Sequence, residues 1–275
     1  MSTDQPTDQP TDRRHLLAIG IGAGDIDHLT LAAVKAVRRT DVFFLIGKGP
    51  GKAALTDLRR RVLAEHATGP HRVVEVDDPW RDRTREDGAG YTTAVHDWRR
   101  RRAEVYERLV RDELAPGQTG AFLVWGDPAL YDSTLGILNG IAAGGTVAFD
   151  VEVVPGISSV SALAARHRIT LNQVGRPVHI TPGRRLADAC LAGDGDVVVM
   201  LDAQEAYRRV TGDDVWIYWG AYIGTPDELL LSGPLPQVAD RISELRAEAR
   251  ERHGWIMDTY LLRIVEGDDG EDPGP

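Results

Sequence analysis

Cysteine is nearly absent: Cys190 stands alone in 275 residues. That excludes an internal disulfide framework, a multi-cysteine zinc site and an iron–sulfur cluster held by this chain alone. Long apolar runs are missing too, and none approaches the roughly 18–20 residues of a membrane span. The opening MSTDQPTDQP lacks the basic and apolar stretches of a secretory signal, so a soluble, cytoplasmic protein is expected. Lysine is scarce, with only Lys35, Lys48 and Lys52 against 29 arginines. Basic charge in the tails is absent altogether. Residues 1–12 and 266–275 hold eight acids and no base, whereas residues 13–265 hold 32 bases and 34 acids, so the formal charge of −10 falls to −2 in the body. A nearly neutral body offers no electrostatic footprint for nucleic acid, and no membrane partner is expected either.

What is present is an alternation of short apolar runs with helical periodicity. Leu16–Ile21, Asp41–Ile46, Arg72–Val76 and Ala121–Trp125 read as buried strands. Helical spacing falls between them at 28–39, 52–66 and 91–113, where Val95, Trp98, Arg102, Val105 and Leu109 form one stripe. The second half alternates in the same way, with helices at 133–143, 158–167 and 237–252, and strands at 146–154, 177–181, 196–201, 215–219 and 255–265. Such alternation predicts an α/β protein of two α/β domains with mainly parallel sheets. The expected boundaries are a disordered tail at 1–13, domains at 14–126 and 127–265, and a disordered acidic tail at 266–275. Residues 77–90 read as a long mobile loop, and the run Arg99–Arg102 as a solvated helix face.

The first βα turn reads Gly20-Ile-Gly22-Ala-Gly24-Asp25. A dinucleotide fingerprint has glycine where Asp25 stands, and a carboxylate there would repel a pyrophosphate at the helix N-terminus. A nicotinamide oxidoreductase is thereby disfavoured. The phosphate loop G-x-x-x-x-G-K-[ST] is also absent, because Gly47-Lys-Gly-Pro-Gly-Lys52 lacks its spacing and hydroxyl.

Two further turns follow strands: Gly126-Asp127-Pro128-Ala129-Leu130-Tyr131 and Val153-Val154-Pro155-Gly156-Ile157-Ser158-Ser159. Taken singly, each is a turn signal. In order, G-x-G-x-G-D-x-x-x-L-T, G-D-P-x-x-Y and V-P-G-I-S-S resemble the tetrapyrrole methylases, from about residue 16 to 264. Family members often carry Pro where this chain has Ala23, so a rigid φ is lost there. Segments Trp125–Thr134, Leu163–Ile169 with Pro177–Thr181, Tyr218–Tyr222 and His253–Arg263 are similar to one branch, which methylates precorrin-5 at carbon 1 and releases acetate.

The resemblance implies S-adenosylmethionine as cofactor, a tetrapyrrole (precorrin) substrate, a homodimer and an active cleft between the domains. It also implies cofactor contacts at Ala23, Gly24, Asp25, Trp125, Gly126, Asp127, Ser158, Ser159, Met200, Leu201, Ala221 and Tyr222, and no metal. Methyl transfer from a sulfonium needs orientation in a dry site rather than a protein nucleophile. Asp127 is therefore a candidate for holding a donor hydroxyl or ammonium, or else a helix cap. Acetate release calls for a base and an oxyanion stabiliser, for which His179 and Tyr222 have suitable chemistry. The substrate's carboxylates call for arginine, and Arg166, Arg168, Arg184 and Arg185 follow motif turns. Arg81, Arg83 and Arg85 could close over a ligand. Two alternatives stay open: a sister methylase acting at another macrocycle position, and a non-catalytic metabolite-binding module on the same scaffold.

Overall fold

The computed structural model describes residues 13–47, 53–80, 88–190, 195–212 and 214–265. Apart from Arg13, which pairs with Asp150 at 3.4 Å, the expected disordered tails lie outside the described residues, as do Arg81, Arg83 and Arg85. Two units partition the rest. One comprises the chain up to Ile21 and Leu29–Gly156; the other comprises Gly22–His28 and the chain from Ile157 onward.

In the first unit, strands β1 (Arg14–Gly20), β2 (Val42–Gly47), β3 (Arg72–Asp77), β4 (Thr119–Val124) and β5 (Phe149–Val154) form one sheet in the order β3-β2-β4-β1-β5. Every pairing in it is parallel. The central strands β1, β2 and β4 are near-continuous apolar runs because helices cover both faces of a parallel sheet. The helices are α1 (Leu31–Arg38), α2 (Ala53–His66), α3 (Gly88–Glu113) and α4 (Thr134–Gly144). On one face Leu16, Phe44 and Phe122 pack with Tyr106, Leu109, Val110 and Leu138. The Tyr106 and Phe122 rings stack with centroids 4.3 Å apart.

The expected division at 126/127 falls inside this unit. β5 comes after that point yet pairs with β1 along its whole length, so the chain divides only after Gly156. Residues 22–28 also leave their sequence neighbours and belong with the second unit.

That second unit holds α5 (Ser159–His167), β6 (Val178–Pro182), α6 (Leu186–Cys190), β7 (Asp196–Met200), β8 (Val215–Ala221), β9 (Leu229–Pro234), α7 (Leu235–His253) and β10 (Asp258–Ile264). Its sheet runs β6-β7-β10-β8-β9. Only β6–β7 is parallel; β10 pairs antiparallel with β7 and β8, and β8 with β9. The sheet is thus less parallel than expected. A short link suffices between antiparallel strands, whereas each parallel pair needs a long crossover, and the link from β8 to β9 is short. β9 itself escapes the sequence reading because its LLLSGP ends in turn residues; Pro234 is tolerated at the end of an edge strand. Trp219, Tyr260, Ile217 and Val199 form the centre of this unit's core with Ile242 of α7.

Candidate functional site

In the first unit three glycines end three neighbouring strands. A β-carbon on Gly20 would lie 2.5 Å from the Gly156 nitrogen, and one on Gly156 would lie 2.2 Å from the Gly126 carbonyl oxygen. Backbone therefore meets backbone where β1, β4 and β5 finish, which is the ligand-facing edge of parallel sheets. Asp127 joins the two motif turns. Its Oδ1 accepts the Ala129 N–H at 2.8 Å and its Oδ2 accepts the Gly156 N–H at 2.9 Å. The carboxylate does cap its local turn, but it also fastens G-D-P to V-P-G. Trp125 precedes Gly126 with a buried indole Nε1 that has no partner among the described residues.

The second unit gathers the other expected cofactor residues. Ala23 is buried, and Asp25 closes its own turn by accepting the Asp27 N–H at 3.0 Å. This loop packs against the segment after β8: β-carbons on Gly24 and Gly224 would lie 2.6 Å from the Ile223 carbonyl oxygen and 2.8 Å from the Asp25 nitrogen. Ser158 caps α5 by accepting the Ser161 N–H at 3.2 Å. Ser159 Oγ lies 3.4 Å from Thr259 Oγ1, and Thr259 is in register with both Met200 and Gly220. The ends of β7 and β8 and the start of β10 thus share one edge of the sheet. Immediately past two of those ends stand non-glycine residues in left-handed conformation, Leu201 (φ 54°) and Tyr222 (φ 50°). Such backbone is uncommon for residues with a β-carbon and concentrates at functional turns.

The residues chosen for acetate release sit differently. The Tyr222 hydroxyl donates to the Trp255 carbonyl at 2.5 Å, and burial raises the pKa of this phenol, so its donor is committed to the fold. His179 is the second residue of β6, about 10 Å before the Pro182 end that aligns with Met200. Its Nε2 is buried without a partner among the described residues.

The arginines also divide. Arg166 Nε donates to Glu228 at 2.7 Å, and Glu228 in turn accepts the Gly224 N–H at 2.8 Å, so Arg166 steadies the loop after β8. Arg168 ends α5 in left-handed conformation (φ 58°). Arg184 and Arg185 lie in a short 3-10 turn after β6, where Arg185 pairs with Asp188 at 3.0 Å on the exposed surface. In the run 99–102, Arg102 departs from the solvated-face expectation. Its side chain is buried against Asp78 at 3.2 Å, donates to Ser133 at 3.0 Å, and lies over the Trp98 and Tyr106 rings. Its place on the apolar stripe with Trp98 is the signal that the charge run obscures.

The family model for Tetrapyrrole (Corrin/Porphyrin) Methylases matches residues 15–239. The chain belongs to the tetrapyrrole methylases. Within that family it is 48% identical to a precorrin-6A synthase [deacetylating] from a Sinorhizobium species, over 91% of this chain and 95% of that protein. Among solved structures it resembles a cobalamin synthesis related protein (CobF) from Corynebacterium diphtheriae, with 34% identity and a TM-score of 0.79 over 92% of this chain and 100% of that one. The fold is also shared with a uroporphyrin-III C-methyltransferase from Thermus thermophilus complexed with S-adenosylhomocysteine. That match has 19% identity and a TM-score of 0.53, covering 90% of this chain and 91% of that one. This tetrapyrrole methylase carries further buried polar groups that its sequence motifs do not announce. Arg59 donates to the Leu123 carbonyl at 2.9 Å, and desolvation lowers its pKa. His28, packed against Gly22 and Gly224, leaves Nδ1 buried and unpartnered among the described residues. Arg246 of α7 is 2% exposed and pairs with Asp258 at the start of β10. A charged residue inside a helix of ordinary amphipathic pattern gives no sequence signal of burial.

Proposed function

We propose that this tetrapyrrole methylase is a deacetylating precorrin-6A synthase, acting as a cytoplasmic homodimer. It transfers the methyl group of S-adenosylmethionine to carbon 1 of precorrin-5 and releases acetate. The observation that carries this reading is the 48% identity to the Sinorhizobium enzyme across nearly the whole of both chains.

The second unit's residues suit such a cofactor. Gly24 and Gly224 let the first loop and the loop after β8 meet backbone to backbone, and the buried His28 Nδ1 beside them lacks a partner among the described residues. The residues of this unit that would hold the cofactor are Ala23–Asp25, Ser158, Ser159, Met200, Leu201, Ala221 and Tyr222. When bound, the cofactor supplies an electrophilic methyl group. The chain's own work is to orient two reactants and exclude water from the methyl path. Acetate release balances when water adds to the acyl carbon on carbon 1 and the carbon–carbon bond breaks. The bonding pair stays on the macrocycle, and carbon 1 takes the methyl group. Arg184 and Arg185, beyond the Pro182-Gly183 turn, are the proposed partners for the substrate's carboxylates, which a guanidinium fork holds bidentately.

The test is incubation with precorrin-5 and methyl-labelled S-adenosylmethionine, followed by mass analysis of the pigment and assay of acetate. One label and one acetate per pigment are expected. Label without acetate would favour a sister methylase acting elsewhere on the ring. Cofactor binding with neither product would favour a non-catalytic module.

A further inference from the structure

The loop after β7 is held from beneath by a buried ionic network. Asp202 is 4% exposed. Its Oδ1 accepts the Gln204 N–H at 3.1 Å; its Oδ2 accepts the Ala206 N–H at 2.7 Å and the Tyr260 hydroxyl at 2.7 Å. Its backbone carbonyl accepts Arg246 Nη2 at 2.7 Å. Arg246 Nη1 engages the Asp258 carboxylate, which also accepts the Trp219 indole N–H at 2.9 Å. Arg246 Nε faces Glu205 at 3.6 Å. Even Gly183 takes part, since a β-carbon there would lie 2.5 Å from the Asp202 carboxylate.

Burying an arginine with two aspartates costs more desolvation than an apolar cluster of the same volume would. The expense goes to one short segment. Leu201 and Glu205, on either side of Asp202 and its turn, both hold left-handed backbone, at φ 54° and φ 55°. Leu201 is 61% exposed, an apolar side chain presented beyond the strand end rather than packed. A strained conformation persists only where its surroundings over-determine it. Here the over-determination converges on Asp202, the residue next to Leu201.

We infer that Arg246, Asp202 and Tyr260 are positioning residues for the methyl donor, fixing the left-handed turn at Leu201 so that it receives the cofactor. The inference rests on the proposal that Leu201 contacts that cofactor. The network touches no reacting atom; it holds the backbone proposed to receive the cofactor. Arg246 suits this role because its planar fork spans two acceptors on different elements, a carbonyl in the β7 loop and a carboxylate on β10.

Calorimetric titration of the full chain with S-adenosylhomocysteine tests this, together with steady-state kinetics in which donor and pigment vary separately. Tyr260→Phe removes one hydrogen bond from Asp202 and keeps the ring. It should raise the product's Kd and the donor's KM by about three- to tenfold. Arg246→Met should raise both by about tenfold or more, and Arg246→Lys should recover only part, since an ammonium lacks the fork. The pigment's KM should stay within about twofold of wild type in all three, because no charge on the surface changes. Variants that lower Tm but bind the product with wild-type affinity would overturn the inference and leave the cofactor reading intact. A wild-type chain that fails to bind S-adenosylhomocysteine would overturn the cofactor reading itself. Should Arg246→Met not fold, Tyr260→Phe and Arg246→Lys decide the matter by the same readouts.

Discussion

The two units build their motif turns by opposite means. In the first, the strand ends carry Gly20, Gly126 and Gly156, and the missing β-carbons let three backbones meet. One carboxylate, Asp127, stitches two of the turns through backbone N–H groups. In the second, the turns after β7 and β8 carry Leu201 and Tyr222 in left-handed backbone; the buried side chains of Arg246, Asp258, Asp202 and Tyr260 hold the first, and the backbone carbonyls of Trp255 and Met257 hold the second. Absence of side chains gives a close packing with few alternatives. Strain held by charge has to be maintained by every member of the network. The first kind of turn should therefore fail by steric addition and the second by deletion.

The largest expected effect breaks the ionic side. Asp258→Leu leaves Arg246 buried without its main countercharge and should cost about 3–5 kcal/mol in urea unfolding. Adding Arg246→Met to that variant should return much of the loss, because an apolar pair needs no countercharge. A double variant as unstable as the single one would show that desolvation is not the governing cost. Steric addition comes next. Gly156→Ala meets a carbonyl oxygen at 2.2 Å and should cost about 1–3 kcal/mol. Gly140→Ala, in α4 with nothing within 4 Å of the new carbon, should instead gain about 0.5–1 kcal/mol. Equal effects at the two positions would refute the close-approach argument. Asp127→Asn follows. Its side chain keeps one acceptor oxygen where two are used, so one of the Ala129 and Gly156 N–H groups loses its partner, at about 1–2 kcal/mol. Unchanged unfolding in that variant would free the carboxylate from the structural role assigned to it.

Sequence alone made the first unit legible and much of the second obscure. Parallel strands buried on both faces read as unbroken apolar runs, and the glycine turns mark where they stop, so β1, β2 and β4 fall where the pattern puts them. The motif order also located the turns that the structure collects. Pairing is a different matter. Nothing in Phe149–Val154 says that it joins β1, which is why the boundary at 126/127 came thirty residues early. Nothing in Gly22–His28 says that it belongs with the distant Ile223–Thr225 segment. Arg246 is hidden outright, and Arg102 is hidden behind its charge run despite its place on the apolar stripe, because the burial of a charge depends on partners distant in sequence, Asp258 and Asp78. His179 and Tyr222 show the converse. Their chemistry is visible in the sequence, but the strand position of one and the committed hydroxyl of the other are tertiary facts.

The smallest expected effect sharpens the comparison through pH. His167, at the end of α5, is half-buried; its Nε2–H donates to the Trp219 carbonyl at 3.0 Å, and its ring meets Tyr218 edge-on at 5.6 Å. Burial lowers its pKa below the ordinary 6.5, and the opposing pull of the Trp219 carbonyl and the Glu228 charge does not restore it. Well above 6.5 the imidazole is neutral in both folded and unfolded chains, so it contributes no pH dependence. Below that value the unfolded chain binds the proton first, and stability falls as the pH drops until the folded imidazole also protonates. His167→Gln preserves a donor for the carbonyl and removes the titration. Its stability should therefore change less than wild type's between pH 7 and pH 5. Hydrogen exchange over the same range should show the wild-type loss in β8 and α5, where His167 is bonded. The glycine-packed strands β1 and β4 should hold their protection. Matching pH profiles for wild type and His167→Gln would show that the second unit's acid sensitivity, if present, comes from its carboxylates instead.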